Sequence, residues 1–157
     1  MEMKLVKSRN AIGESNFHIQ LTPAFRQDIF RDKEIAELTF AYILEKLQKL
    51  KVAILGYGFG PDHLHLFVSN VRFVSEIELV RQIKGYSSFM MRKNFSYLFK
   101  TKLWGNKFWS GGHFYRSVGA VNAETMKHYV EDSQEKHWEI ISIEDVKPIL
   151  QKRIGDF

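Results

Sequence analysis

Residues 63–69 read HLHLFVS, and the alternation of Leu64, Leu66 and Val68 with His63 and His65 limits the fold more than any other stretch. Side chains at i and i+2 of a strand share a face. The spacing therefore predicts a strand with its aliphatic residues on a core and two imidazoles side by side on the opposite, open face. A strand of this kind needs partners. NFHIQLT (16–22) and VAILGYGF (52–59) have the β-branched and aromatic content of strands, and Gly60 and Pro61 mark a turn ahead of the histidines.

Helical periodicity fills the gaps. Ala36, Phe40, Ile43, Leu44, Leu47 and Leu50 form one apolar stripe across residues 33–50. Ser75 and Glu78 form a capping-box signature ahead of ELVRQIKGYSSFMMRKNF, whose apolar side is expected to include Ile77, Val80, Ile83 and Met90. Arg81, Lys84, Ser88 and Arg92 make a basic strip along the same helix, the usual form of a solvated face and equally a DNA-contacting one. HFYRSVG (113–119) reads as a fourth strand, and Asn122 caps a third helix, AETMKHYVEDSQEKHW. The order β-α-β-β-α-β followed by a helix is the split βαβ arrangement. The expected fold is thus α+β and ferredoxin-like: an antiparallel sheet with helices on one face, its first and third strands central, plus a C-terminal helix.

One domain is expected over residues 1–157, since there is no internal repeat or Pro/Gly-rich linker. The absence of Cys excludes disulfides, thiolate metal sites and a cysteine nucleophile, and makes the cytoplasm the default location. No apolar run approaches the ~20 residues of a membrane span, and MEMKLVKSRN lacks an apolar signal core. A net charge of +5 and the 14% aromatic content fit a polyanionic partner with stackable bases, and fit a merely soluble basic surface as well.

Two neutral imidazoles on one rigid strand are two ready ligands for a divalent metal, with Asp62 placed to orient one ring or simply to shape the turn. H-x-H alone is also met as ordinary surface or hydrogen-bonded histidine. Lys107 and Arg116, near Trp104, Phe108 and Trp109, are candidate DNA contacts together with Arg81, Lys84 and Arg92. The tryptophans are equally candidates for the core. Gly119 is a candidate hinge or a simple turn.

The segment PDHLHLF resembles the HUH motif, two histidines around a bulky apolar residue, of enzymes that nick single-stranded DNA with a tyrosine. More narrowly, NFHIQLTPAFR, GPDHLHLFVS, QIKGYSSFMMRKNF, KLWGNKFWSGGHFYRSVG and KHYVEDSQEKHW, in this order over residues 16–137, resemble the TnpA-like single-tyrosine transposases of bacterial and archaeal insertion sequences. The resemblance implies His63 and His65 as metal ligands, Tyr129 as nucleophile on the C-terminal helix, and Mg²⁺ or Mn²⁺ as cofactor with no nucleotide required. It further implies single-stranded DNA hairpins at element ends as substrate, and a homodimer in which one subunit's tyrosine helix completes the other's histidine site. The family places a metal-binding Gln four residues after the tyrosine. Here Ser133 stands at that offset and Gln134 follows, about 140° round an ideal helix from Tyr129. A π-bulge would bring Gln134 back into line; Asp132, Ser133 or water are the other candidates for third ligand. Tyr115, in a predicted strand, is the rival nucleophile, and His128 and His137 flank Tyr129. Residues 138–157 lie past the resemblance and are expected as a helix packing on a partner. A non-catalytic nucleic-acid-binding module of the same fold, or a domesticated relative processing genomic repeats, is the alternative.

Overall fold

The computed structural model describes residues 15–69, 71–103 and 105–117, together with the backbone of 6–7, 12–13, 118 and 138–139. A short two-stranded sheet pairs β1 (Val6–Lys7) with β2 (Ile12–Gly13). The main sheet is built from β3 (Asn16–Leu21), β4 (Ala53–Gly60), β5 (His63–Ser69), β6 (Phe114–Val118) and β7 (Trp138–Glu139) in the order β6-β3-β5-β4-β7, all pairs antiparallel. Helices α1 (Lys33–Lys49) and α2 (Glu76–Phe99) cover one face. This is the predicted α+β, split βαβ architecture, with the first and third strands of the motif, β3 and β5, in the middle. Part of the extension expected as a helix is instead strand, because Trp138 and Glu139 pair with Gly58 and Tyr57 at the free edge of β4.

Periodicity explains the layers. Leu64, Leu66 and Val68 of β5 join Ile19 and Leu21 of β3 beneath Ile35, Ile43 and Leu47 of α1 and Leu79, Ile83 and Met91 of α2, all buried. Each large side chain so buried contributes about 1.5–3 kcal/mol. Asp32 caps α1 by accepting from the Glu34 N–H at 2.9 Å, and Ser75 Oγ caps α2 by accepting from the Glu78 N–H at 3.1 Å.

Two departures from the expected pattern matter for the site. The register of β4 on β5 slips between Ile54 and Gly56, so Leu55 is an extra residue. Because side chains alternate with period two, one inserted residue exchanges the faces of everything beyond it. Tyr57 and Phe59 thereby enter the core side, while Gly56, Gly58 and Gly60 fall opposite Phe67, His65 and His63. On α2, Ile77 is 65% exposed rather than part of the apolar stripe. Six residues set it about 120° round from Ile83, on the side of Arg81, Lys84 and Ser88.

Candidate metal centre and nucleic-acid interface

His63 and His65 project from the sheet face opposite the helices, as their alternation with buried leucines requires, with ring centroids 4.9 Å apart. That face is less open than expected. His63 is 5% exposed, and Phe67, two residues beyond His65, is 1% exposed. The His63 ring rests on Gly60, where no side chain competes for the space. Its Nδ1–H donates to Asp62 Oδ1 at 2.9 Å, and Arg26 pairs with Asp62 Oδ2 at 3.4 Å. The Asp62 carboxyl is held below the usual carboxylate range, first by the bond from His63 and then by electrostatic attraction to His63 and Arg26. Phe25 and Arg26 both adopt left-handed backbone, φ 57° and 50°, a strained pair of non-glycine residues that carries Asp62's partner. Phe30 N–H donates to Pro61 O at 3.0 Å and fastens the turn that precedes His63.

His65 has a partner that sequence patterning did not reveal. His18 Nε2 lies 3.0 Å from His65 Nδ1, with the rings stacked at 5.2 Å. His18 sits on β3 opposite Phe67 and Arg116, is 7% exposed, and is flanked by the rings of Phe67 and Phe114. Burial, then the neighbouring His65 and Arg116, push its pKa down to about 4, so it is neutral at physiological pH. The signal was present: Asn16, His18 and Gln20 alternate with Phe17, Ile19 and Leu21 in NFHIQL, which puts His18 on the face away from the core. Only the cross-strand register shows which residue it meets.

The donor set fits a divalent ion. Both imidazoles have Nδ1 engaged by a neighbour, the usual way a ligating histidine is oriented so that Nε2 serves the metal. Among the described residues, no three His, Cys, Asp or Glu side chains cluster to hold an ion, so an ion on these imidazoles would need further ligands from elsewhere. Tyr129, Gln134 and Gly119, with Asp132, Ser133, His128 and His137, lie outside the described residues. Tyr115, the rival nucleophile, stands opposite Ile19 and therefore on the helix side of the sheet, away from the histidines.

The five candidate DNA-contacting cations divide into different environments. Arg81, Lys84 and Lys107 line one pocket of about 490 Å³ between α2 and the segment around residues 106–113, with Gly85 and Ser88 in its wall. Arg81 is exposed and paired with Glu78 at 3.1 Å. Lys84 is partly a structural residue: its Nζ donates to Ser110 O at 2.6 Å and Gly112 O at 3.3 Å, and burial lowers its pKa. Ser87 receives the Trp109 Nε1–H at 2.9 Å while donating to Ile83 O. The KGYS run thus clasps the aromatic segment to α2, and Trp109 and Phe108 are buried, which places them in the core. Arg92 departs from the strip; its guanidinium lies over the Phe99 ring, with Nε and Nη2 buried and unbonded. Arg116 is exposed on β6, on the histidine face beside His18.

A split βαβ sheet with H-x-H on a central strand matches the resemblance to HUH-motif proteins, and comparison with known proteins narrows this. The family described as "Transposase IS200 like" matches residues 11–133, and the chain belongs to that family, a TnpA-like group of HUH transposases. It is 30% identical over 122 residues to the transposase for insertion sequence element IS200 of Salmonella typhimurium, covering 75% of this chain and 78% of that one. It is 23% identical over 136 residues to the ISDra2 transposase TnpA of Deinococcus radiodurans, covering 87% and 94%. In fold it resembles a protein of Deinococcus radiodurans R1 described as a transposase (TM-score 0.65, 19% identity, 85% of this chain and 98% of that one). It also resembles a REP-associated tyrosine transposase bound to a REP hairpin (TM-score 0.52, 13% identity, 81% and 69%). Among the described residues no helix is long and apolar enough to cross a membrane.

Proposed function

We propose that this family member is a metal-dependent transposase that nicks and rejoins single-stranded DNA at insertion-sequence ends through Tyr129. The observation that carries the reading is the pair of imidazoles on β5, each with Nδ1 engaged and both on one sheet face. His63 and His65 would hold Mg²⁺ or Mn²⁺, with Gln134 as the third ligand supplied from outside the described residues. An ion held there would supply Lewis acidity to the scissile phosphate.

In the proposed step the Tyr129 phenol gives up its proton and attacks phosphorus, a tyrosine-phosphate bond forms, and the bond to the 3′ oxygen breaks, that oxygen taking up a proton from solvent in exchange. A 5′-phosphotyrosine and a free 3′-hydroxyl result. Attack by another 3′-hydroxyl reverses the step and releases the tyrosine. The phosphodiester's bond energy is kept throughout, so no nucleotide cofactor is needed. Arg116, exposed beside His18 on the same face, is placed to meet the DNA backbone near the imidazoles. Hairpin ends as substrate are supported by the fold-level likeness to a transposase bound to a REP hairpin. A homodimer is supported by the edge position of β6, whose Phe114 and Tyr115 are exposed.

Labelled single-stranded oligonucleotides carrying hairpins, incubated with protein and Mg²⁺ and resolved on denaturing gels, test the reading. The expected result is a covalent adduct that EDTA, Tyr129→Phe and His63→Ala each abolish. Binding with no adduct, across element-end sequences, would replace the enzyme with a binding module of the same fold.

A further inference from the structure

We infer that His18 is a positioning residue: its bond to His65 selects the His65 tautomer that offers Nε2 to a divalent ion. The inference rests on the metal reading above. Two ring nitrogens 3.0 Å apart share one proton between them. A neutral imidazole that gives its Nε2 lone pair to a metal carries its proton on Nδ1. His65 must therefore be the donor across this contact and His18 Nε2 the acceptor, which puts the proton of His18 on its own Nδ1.

The same logic holds at His63, where Nδ1–H donates to Asp62. One ring is thus oriented by a carboxylate and the other by an imidazole. His18 is not itself a ligand in this arrangement, because the nitrogen it aims at the site is the one bonded to His65. Its ring is also held in place by packing. It lies nearly parallel to Phe67, 11° between planes, and takes the Phe114 ring at 5.8 Å. The contact runs diagonally across the ladder, since His18 is opposite Phe67 and Gln20 opposite His65, so it requires the native register of β3 on β5.

The test uses the full chain. Nitrogen-15 NMR of the imidazoles in metal-free wild-type protein should show His65 protonated at Nδ1. Calorimetric titration with Mn²⁺ should show His18→Phe, which keeps the packing, binding about 10–100-fold more weakly. His18→Gln, whose Oε1 accepts the same bond, should recover most of that loss. Wild-type Mn²⁺ affinity in His18→Phe, or His65 protonated at Nε2 in the wild type, would overturn the inference. Should His18→Phe not fold, the wild-type tautomer still decides. If the wild type takes up no Mn²⁺, the metal reading fails on its own, and the proton's position on His65 still distinguishes whether His18 acts as the acceptor.

Discussion

The ring of His63 occupies the space above Gly60: a Cβ at that position would stand 2.0 Å from Cε1 and 2.6 Å from Nδ1. His63 is buried and tied to Asp62, so the ring cannot simply swing aside. Gly60→Ala is expected to cost about 1–3 kcal/mol of stability, the usual range for overpacking, and to weaken Mn²⁺ binding by displacing the ring. Thermal denaturation and metal titration check it; an unchanged midpoint with unchanged affinity would mean the ring yields freely.

Gly85 presents the opposite case. It lies within α2, and a Cβ there meets nothing within 4 Å. Gly85→Ala is expected to raise stability by up to about 1 kcal/mol through helix propensity, while putting a methyl group into the wall of the Arg81–Lys84–Lys107 pocket. If DNA enters that pocket, oligonucleotide affinity falls as the melting midpoint rises. Affinity unchanged in a stabilised variant would take the pocket out of the DNA path.

Ser87→Ala leaves the buried Trp109 indole N–H without its acceptor. Stranding a buried donor costs about 1–3 kcal/mol, so urea unfolding should show a loss of that size. Ser88→Ala, at the neighbouring pocket wall, is the comparison and should unfold nearly as wild type does.

His18 makes stability pH-dependent with a definite sign. Its folded pKa of about 4 lies below the value of 6.5 for a free histidine, owing to burial, His65 and Arg116. Between these values the unfolded chain binds the extra proton and the folded one does not. The His18 contribution to stability is therefore fully present above pH 6.5 and declines as the pH falls toward 4. Melting midpoints measured across that window should slope in the wild type and flatten in His18→Phe; equal slopes would show that His18 does not titrate as a buried base.

The sheet and both helices were readable because burial imposes periods of two and of about 3.6 residues. Leu64 and Leu66 on one face of β5, the stripe from Ala36 to Leu47, and the Ser75 cap all follow from spacing alone. What spacing cannot supply is the third dimension. His18 and His65 are 47 residues apart and meet only through strand register. The extra residue at Leu55 turns three glycines toward the histidines, and nothing local in VAILGYGF announces the slip. Arg92 and Lys84 read as one surface strip by helical offset, yet one settles on Phe99 and the other holds two loop carbonyls. Tyr129 and Gln134 rest on the family resemblance, with Gln134 one residue past the family's offset, and lie beyond the described residues.

β5 is bordered on both sides, by β3 and β4, and its aliphatic half is sealed into the main core. Amides in such a strand reach solvent only through openings whose free energy approaches that of complete unfolding. The two imidazoles therefore ride on a strand whose amides are expected to be among the slowest to exchange of the described residues. Partial opening at an edge such as β6 is expected to leave the imidazole pair in place.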